Sequence, residues 1–179
     1  MGMDEVYAHI GEKYYLSGEA DWADSSFLAN LSDRIKKIKP NFVGNKAPNL
    51  QMQDYRGQWV NLHTIQAKYI IIVFWDTDCG HCKKEVPALH DIYKKYVDSG
   101  LEIFAVYTQG DKEKWAKFVN EHNLDWINVY DPYHMTNFRD LYDIYSTPVV
   151  YLLDKDKTIL AKRIAVEDVD DFLGKMMNK

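Results

Sequence analysis

The sequence predicts an α/β fold with a mixed central sheet flanked by helices, on three observations. The apolar run Tyr69–Trp75 has the length of a buried strand. Helical periodicity follows it to about Val97, with apolar residues on one face and lysines on the other. Gly100 is a natural helix stop, and a second apolar strand begins at Leu101. A strand, a helix and a strand in this order form a right-handed βαβ unit with parallel strands.

Further elements are predicted on both sides of this unit. Before it, the turn signal Asp54–Gly57 separates two short apolar segments and predicts a β-hairpin. After it, the periodicity predicts a helix, a strand and a short helix, then two hairpin strands and a last helix. These elements cover residues 112–122, 126–130, 136–142, 149–153, 158–163 and 166–177.

Residues 1–40 are predicted to form a helical extension and residues 41–179 the α/β domain. Apolar residues recur at helical spacing in the second half of the extension, where Asp24 is a candidate N-terminal cap and Pro40 a stop. The tract 40–48 is rich in Pro, Asn and Gly and predicts a linker.

Composition excludes several classes of function. The net charge of −5, without a stripe of Lys or Arg, argues against a nucleic-acid partner. The longest apolar run, Tyr69–Trp75, is too short to cross a bilayer, so no membrane span is expected. The start, Met1–Val6, has no basic or apolar stretch of a signal peptide. A cytosolic protein and an exported protein without its signal both fit.

The two cysteines of the chain, Cys79 and Cys82, lie in the segment Trp75–Cys82. A disulfide closing so short a loop constrains little entropy of the unfolded chain and is a poor structural cross-link. A structural zinc site needs about four ligands. The two cysteines and His81 together supply too few. The spacing therefore predicts a reactive dithiol, with no metal and no cofactor apart from the redox-active disulfide itself.

The position of Cys79 predicts an activated thiol. It lies where a buried strand ends and a helix begins, so unpaired backbone amides and the helix dipole favour the thiolate. Cys82 lies one helical turn further in, where it can resolve a mixed disulfide formed on Cys79. Gly80 leaves the first sulfur sterically open. The sequence thus separates an attacking cysteine from a resolving one.

Several neighbours are expected to tune the couple. An imidazolium at His81 favours the thiolate and shifts the couple towards an oxidising potential. Asp76 and Asp78 oppose this with their negative charge, so the sign of the sum stays open. Trp75, at the end of the strand, belongs to the same predicted tuning group.

A second element of the site is predicted at Ser146-Thr147-Pro148, directly before a strand. A cis-proline there would place an open backbone edge beside the sulfurs, where a substrate peptide could pair, and proline makes a cis bond accessible. An ordinary strand start is the alternative.

These motifs resemble those of the thioredoxin family. The stretch from Cys79 to Pro87 matches the Cys-x-x-Cys-x-x-Glu-x-Pro pattern of the TlpA/ResA-like branch, which are usually envelope-facing thiol-disulfide oxidoreductases. The resemblance spans about residues 45–175 and implies a thioredoxin-like three-layer fold with an N-terminal β-hairpin. Residues 1–40 resemble the end of a helical domain that precedes such modules in Bacteroidetes-type bacteria.

By this resemblance, Cys79 is the nucleophile and Cys82 the resolving cysteine. Pro148 corresponds to the cis-proline, preceded by Thr147, and Glu85 to a family glutamate that lies close to the cysteines and influences their titration. A surface carboxylate in the first helical turns is the alternative for Glu85. The resemblance also implies a location in the cell envelope or periplasm, with the cytoplasm as the alternative.

The chain departs from the thioredoxin pattern in three places. Val73 stands where thioredoxins carry a buried acid, and Asp78 where they carry a tryptophan. Proton handling must then use Glu85 or bulk water. The Gly80-His81 pair is typical of disulfide isomerases, which leaves the direction of electron flow open.

The leading hypothesis is an enzyme that exchanges disulfides with protein thiols and depends on an unidentified redox partner protein. A thiol peroxidase of the peroxiredoxin type is one alternative, because Thr77 lies two residues before Cys79, although no proline precedes it nearby. A non-enzymatic binding module is another, with four tyrosines as its candidate face. Those tyrosines are Tyr130, Tyr133, Tyr142 and Tyr145.

Overall fold

The computed structural model describes residues 3–177, whose centre is a seven-stranded sheet. The strands are β1 (Gln51–Asp54), β2 (Trp59–Asn61), β3 (Tyr69–Trp75), β4 (Leu101–Tyr107), β5 (Ile127–Tyr130), β6 (Val149–Asp154) and β7 (Ile159–Lys162). The helices are α1 (Met3–Ile10), α2 (Ser25–Ile38), α3 (Gly80–Tyr96), α4 (Lys112–Glu121), α5 (Phe138–Leu141) and α6 (Val166–Met177). A π-helical turn, Gly11–Tyr15, continues α1.

The sheet is mixed, as the sequence predicts. Its strand order is β2-β1-β5-β4-β3-β6-β7. Strand β3 pairs in parallel with β4, and β4 with β5, whereas β6 lies antiparallel to β3 on the other side. The parallel β3–α3–β4 unit therefore forms the middle of the fold and places the start of α3 at the carboxyl edge of the sheet.

Strand β3 is buried on both faces, which explains its uninterrupted apolar sequence. Ile71, Val73 and Trp75 face one hydrophobic cluster, shared with α3, α4 and α6. Ile70 and Phe74 face a second cluster, shared with the β1–β2 hairpin and α5. Helices thus cover both faces of the sheet and give the predicted three layers.

The helical extension has a small core of its own. Ala8 on α1 packs against Leu31, Ile35 and Ile38 on α2. Asp24 caps α2, because its carboxylate accepts hydrogen bonds from the backbone N–H groups of the first turn, as the sequence predicts. The extension also contacts the sheet, since Lys162 Nζ lies 2.6 Å from Asp4 Oδ2.

Two predicted elements differ in the structure. The tract 40–48 is not a free linker, because its backbone pairs with the β6–β7 hairpin: Gly44 donates to the Ile159 carbonyl at 2.8 Å and Ala47 to the Lys157 carbonyl at 2.8 Å. The pairing includes an isolated β-bridge between Lys46 and Thr158, which is too short to leave a periodic pattern in the sequence. The helix predicted over 136–142 is a single turn, α5. Within residues 3–177, no helix combines the length and apolar character needed to cross a membrane.

Candidate active site

Cys79 and Cys82 occupy the beginning of α3. Cys79 is the N-terminal cap residue, and its Sγ accepts a hydrogen bond from the Cys82 backbone N–H at 3.4 Å. Strand β3 ends at Trp75, so three loop residues, 76–78, connect the sheet to the cap residue Cys79. Both cysteines are free thiols in the structure. The first is half-buried and the second fully buried.

The surroundings of Cys79 favour its thiolate. Burial alone raises the pKa of Cys79, but hydrogen bonding with the side chains of Thr147 and Cys82, together with the backbone N–H groups of Cys82 and His81, outweighs it and lowers the pKa. This is the environment that a cysteine at a helix N-terminus is expected to have.

The surroundings of Cys82 favour its neutral thiol. Burial, followed by the hydrogen bond with Cys79, raises the pKa of Cys82 to about 12. The side chain belongs to the hydrophobic cluster under α3, with Val86 and Trp75. At neutral pH it therefore stays protonated while Cys79 is a thiolate.

The loop before β6 reaches the same point from far along the chain. The Thr147–Pro148 peptide bond is cis, and the Cys79 Sγ donates to the Thr147 carbonyl oxygen at 3.2 Å. Pro148 is followed directly by Val149, the first residue of β6. The structure thus brings together two elements that the sequence identified separately.

A groove of about 230 Å³ lies beside this loop. Its lining residues are Glu85, Ser146, Pro148, Val149, Val150, Arg163, Ile164 and Ala165. The Glu85 side chain is about one-third exposed, and its Oε1 lies 3.8 Å from Nδ1 of His81. His81 itself projects into solvent, with 84% of its side chain exposed. Of the two, Glu85 is the residue that faces the groove.

The two acids before Cys79 are both held by partners that sequence reasoning missed. Asp76 accepts hydrogen bonds from Gln109 Nε2 and from the Asp78 backbone N–H, each at 2.8 Å. Asp78 pairs with Lys114 Nζ at 3.2 Å. Gln109 and Lys114 follow β4, whose carboxyl end lies beside that of β3. Their position after a parallel neighbour of β3 is the signal that could have identified them.

Trp75 and Gly80, the remaining residues predicted to tune the couple, lie next to the two cysteines. Trp75 is fully buried beneath them, with its ring 5.7 Å from that of Tyr107 and 5.0 Å from that of Phe118. A Cβ added to Gly80 would meet no atom within 4 Å, so the first turn of α3 is open to an approaching substrate. Val73 is buried between β4 and β6, which leaves no acid at the position that thioredoxins use.

Two other predictions can be compared with the structure. The four tyrosines proposed as a binding face do not share one surface, because Tyr130 and Tyr142 are buried whereas Tyr133 and Tyr145 are exposed. Within residues 3–177, no group of three or more His, Cys, Asp or Glu residues lies in an arrangement that could hold a metal ion.

The chain is similar to one protein family, to curated relatives and to solved structures. The model of the AhpC/TSA family matches residues 43–162. The thiol-disulfide oxidoreductase ResA of a Bacillus cereus strain is 28% identical over 132 residues, which cover 74% of this chain and 75% of that protein. A solved domain of a possible thiol-disulfide isomerase from Cytophaga hutchinsonii is 44% identical, with a TM-score of 0.72 over 76% of this chain and 94% of that one.

A thioredoxin-like protein from Bacteroides caccae shows that the likeness in fold includes the helical extension. The superposed region covers 96% of this chain and 62% of the Bacteroides caccae chain, with a TM-score of 0.85 at 24% identity. The comparisons confirm the predicted thioredoxin-like fold and the resemblance to ResA-like thiol-disulfide oxidoreductases.

Proposed function

This chain belongs to the AhpC/TSA family, and we propose that it is a thiol-disulfide oxidoreductase that acts on protein disulfides through Cys79 and Cys82. The observation that carries the proposal is the pairing of a half-buried thiol of lowered pKa with a buried thiol one turn further along α3. The buried second thiol has a use where a mixed disulfide must be resolved.

The reaction begins with attack of the Cys79 thiolate on one sulfur of the substrate disulfide. The substrate S–S bond breaks, a mixed disulfide forms, and the released substrate thiolate takes up a proton from water. Cys82 then loses its proton and attacks Cys79 Sγ, which closes the Cys79–Cys82 disulfide and releases the second substrate thiol. Two electrons have passed from the dithiol to the substrate.

Glu85 is the proposed proton acceptor for Cys82. Neutralising Cys79 in the mixed disulfide removes the negative charge that helps to keep Cys82 protonated. Glu85 lies on the same helix and faces the groove, where it can pass a proton to solvent. Thr147 and Pro148 present the backbone edge along which the substrate main chain binds.

A reduction assay tests the proposal directly. Reduced protein is mixed with a disulfide-bonded test protein such as insulin, and substrate thiols are measured as they appear. We expect one disulfide reduced per dithiol and turnover when a reductant is supplied. Hydrogen peroxide, offered instead, is expected to react at the slow rate of an ordinary thiol. Fast peroxide consumption without disulfide exchange would favour the peroxidase.

The direction of electron flow follows from the reduction potential. Hydrogen bonds to the Cys79 thiolate stabilise the reduced form, and the ion pair of Asp78 with Lys114 weakens an opposing charge. We therefore expect a potential above that of thioredoxin, about −270 mV, and towards the range of isomerases, about −180 mV. Equilibration against glutathione of known ratios measures it.

The proposed location is the cell envelope, because the TlpA/ResA-like proteins that the chain resembles usually face it. The proposed partners are thiols and disulfides of other proteins, one of which must restore the dithiol after each turnover. Fractionation of the native host with an antibody against the protein tests the location, and recovery with cytoplasmic markers would contradict it.

A further inference from the structure

We propose that Tyr145 is a specificity-determining residue that contacts an apolar side chain beside the substrate cysteine, and that the helical extension holds this ring in place. The inference rests on the proposed function, since it concerns how the same site selects protein substrates. Tyr145 lies three residues before the cis-proline, Pro148, and 70% of it is exposed.

The exposed ring of Tyr145 contacts two cations. The guanidinium of Arg163 lies 4.5 Å from the ring centroid, and that of Arg34 lies 5.5 Å from it. Such cation–π contacts restrict the ring while leaving much of its surface open to solvent. A rigid exposed aromatic side chain loses little conformational entropy on binding, which is why tyrosine is favoured at binding surfaces.

A buried carboxylate fixes both cations. Asp143 accepts a hydrogen bond from Nη2 of Arg163 at 2.8 Å and another from Nη1 of Arg34. The Asp143 side chain is only 8% exposed, so the two guanidinium groups supply the charge compensation that a buried carboxylate needs. Arg34 lies on α2 and Arg163 directly follows β7. The network therefore joins the helical extension to the sheet.

The same network borders the substrate groove. Arg163 lines it together with Ser146 and Pro148, and the remaining wall is mainly aliphatic, with Val150 and Ile164. The charge of Arg163 is partly compensated by Asp143, and the Glu85 carboxylate lines the same groove, so the cation is balanced by neighbouring acids. A substrate chain paired along Thr147–Pro148 places the neighbour of its cysteine against this wall and the Tyr145 ring. The chemistry that fits is an aromatic or aliphatic side chain.

The first experiment compares two synthetic peptides closed by one disulfide. They are identical except that the residue next to the reactive cysteine is Phe in one and Ser in the other. We expect the wild-type protein to reduce the Phe peptide with a kcat/KM about tenfold higher, the effect of one good aromatic contact. Tyr145→Ala is expected to remove most of this preference, and Tyr145→Phe to keep it because the ring remains.

A matched control is Tyr133→Ala, which removes another exposed tyrosine, one whose ring lies beside Trp59 and not beside the groove residue Arg163. It is expected to retain the wild-type preference. Equal losses on both peptides with Tyr145→Ala would overturn the inference, as would a wild-type protein that treats the peptides alike. Absence of reaction with either peptide in the wild type would instead contradict the proposed function.

The second experiment tests the positioning role of the extension. Arg34→Gln removes one cation from the ring and leaves the Arg163–Asp143 pair in place. We expect a rise in KM for the Phe peptide of about three- to fivefold with little change in kcat, since the contact acts in substrate binding. Lys37→Gln is the control, because it breaks a different ion pair of α2, the one with Asp140.

The double variant separates positioning from a general effect on stability. If Arg34 acts through the ring, Arg34→Gln adds nothing once Tyr145 is alanine, so the two effects on the peptide preference are non-additive. Thermal melting of each variant shows whether the fold is kept. Additive effects, or an Arg34→Gln variant that lowers kcat on both peptides, would overturn the positioning role.

Discussion

Cys79 and Cys82 are three residues apart in the chain and lie in opposite surroundings. Cys79 is at the N-terminal cap of α3, where backbone N–H groups point at its sulfur and its pKa is lowered. Cys82 is inside the first turn, fully buried under the helix, and its pKa is raised to about 12. One turn of helix thus converts the same residue type from an attacking thiolate into a protected thiol.

The largest expected effect separates the two roles directly. Cys79→Ser is expected to lower disulfide reduction by more than about a thousandfold, because the hydroxyl that replaces the thiol is not ionised at neutral pH. Cys82→Ser is expected to lose turnover equally but to accumulate a mixed disulfide with the substrate. Non-reducing electrophoresis and mass spectrometry detect the adduct.

The same pair of variants contains its own control, since either serine removes one sulfur and changes little volume. An adduct on Cys79→Ser in place of Cys82→Ser would reverse the assignment of nucleophile and resolving cysteine. Normal turnover by Cys79→Ser would contradict the proposed function as a whole.

The pH dependence of alkylation is the next largest expected effect. Iodoacetamide reacts with thiolates, so the rate at each cysteine of the reduced protein rises with pH until that thiol is ionised. For Cys79, whose pKa is lowered, the rate is expected to level off at a lower pH than for an ordinary thiol. For Cys82, with a pKa of about 12, it should still rise at pH 10.

Peptide mapping by mass spectrometry gives the two rates separately. At pH 7 the thiolate of Cys82 is rarer by a factor above about a thousand, since each pKa unit is tenfold, and its burial slows the reagent further. Similar alkylation rates at the two cysteines of the folded protein would contradict the proposed difference in their pKa values and burial. Unfolding in guanidinium should make the rates converge, which provides the control.

Local sequence predicted the difference between Cys79 and Cys82, but not all of the residues that surround them. The end of β3 and the start of α3 follow from periodicity and length, so the position of Cys79 as a cap was predictable. The partners of Asp76 and Asp78 were only partly predictable: the parallel pairing of β3 and β4 indicates the segment after β4, but not that Gln109 and Lys114 are the side chains that make the contacts. Periodicity reports which face of an element is buried, not which side chains from two elements meet.

The same limit applies to the helical extension. Its second helix and the Asp24 cap were predictable from apolar spacing and a capping residue. The contact between Arg34 and Asp143 was not, because it joins side chains 109 residues apart. The cis-proline lies between these cases: the sequence predicted Pro148 beside the sulfurs, and the structure adds the contact of Cys79 Sγ with the Thr147 carbonyl oxygen.

Glu85→Gln is expected to give a smaller, selective effect on the buried thiol. If Glu85 accepts the proton of Cys82, the amide should slow resolution of the mixed disulfide by about tenfold, below the usual range of about 10²–10⁴ for general base catalysis, because water also reaches the groove. Initial attack by Cys79 should change little. Stopped-flow measurement of the two phases distinguishes them.

Asp91→Asn on the same helix is the matched control, since Asp91 pairs with Lys94 and lies outside the groove lining. It should leave both phases unchanged. An equal slowing of attack and resolution by Glu85→Gln would indicate a general electrostatic effect and would remove Glu85 from proton transfer.

Lys114→Gln is expected to give the smallest effect, and it acts on Cys79 alone. The lysine pairs with Asp78, the residue directly before Cys79. Without it the carboxylate is uncompensated, so the pKa of Cys79 should rise and its alkylation at pH 7 should slow by about two- to fivefold, a small effect because exposed ion pairs are weak. Lys117→Gln, one turn away and paired with Glu121, is the control.

The difference between the Lys114→Gln and Lys117→Gln variants should shrink at high salt because the Asp78 charge is exposed. Cys82, shielded in the core, should show no change in either variant. An effect of Lys114→Gln on Cys82 as large as that on Cys79 would mean that the two thiols share one electrostatic environment, contrary to their difference in burial.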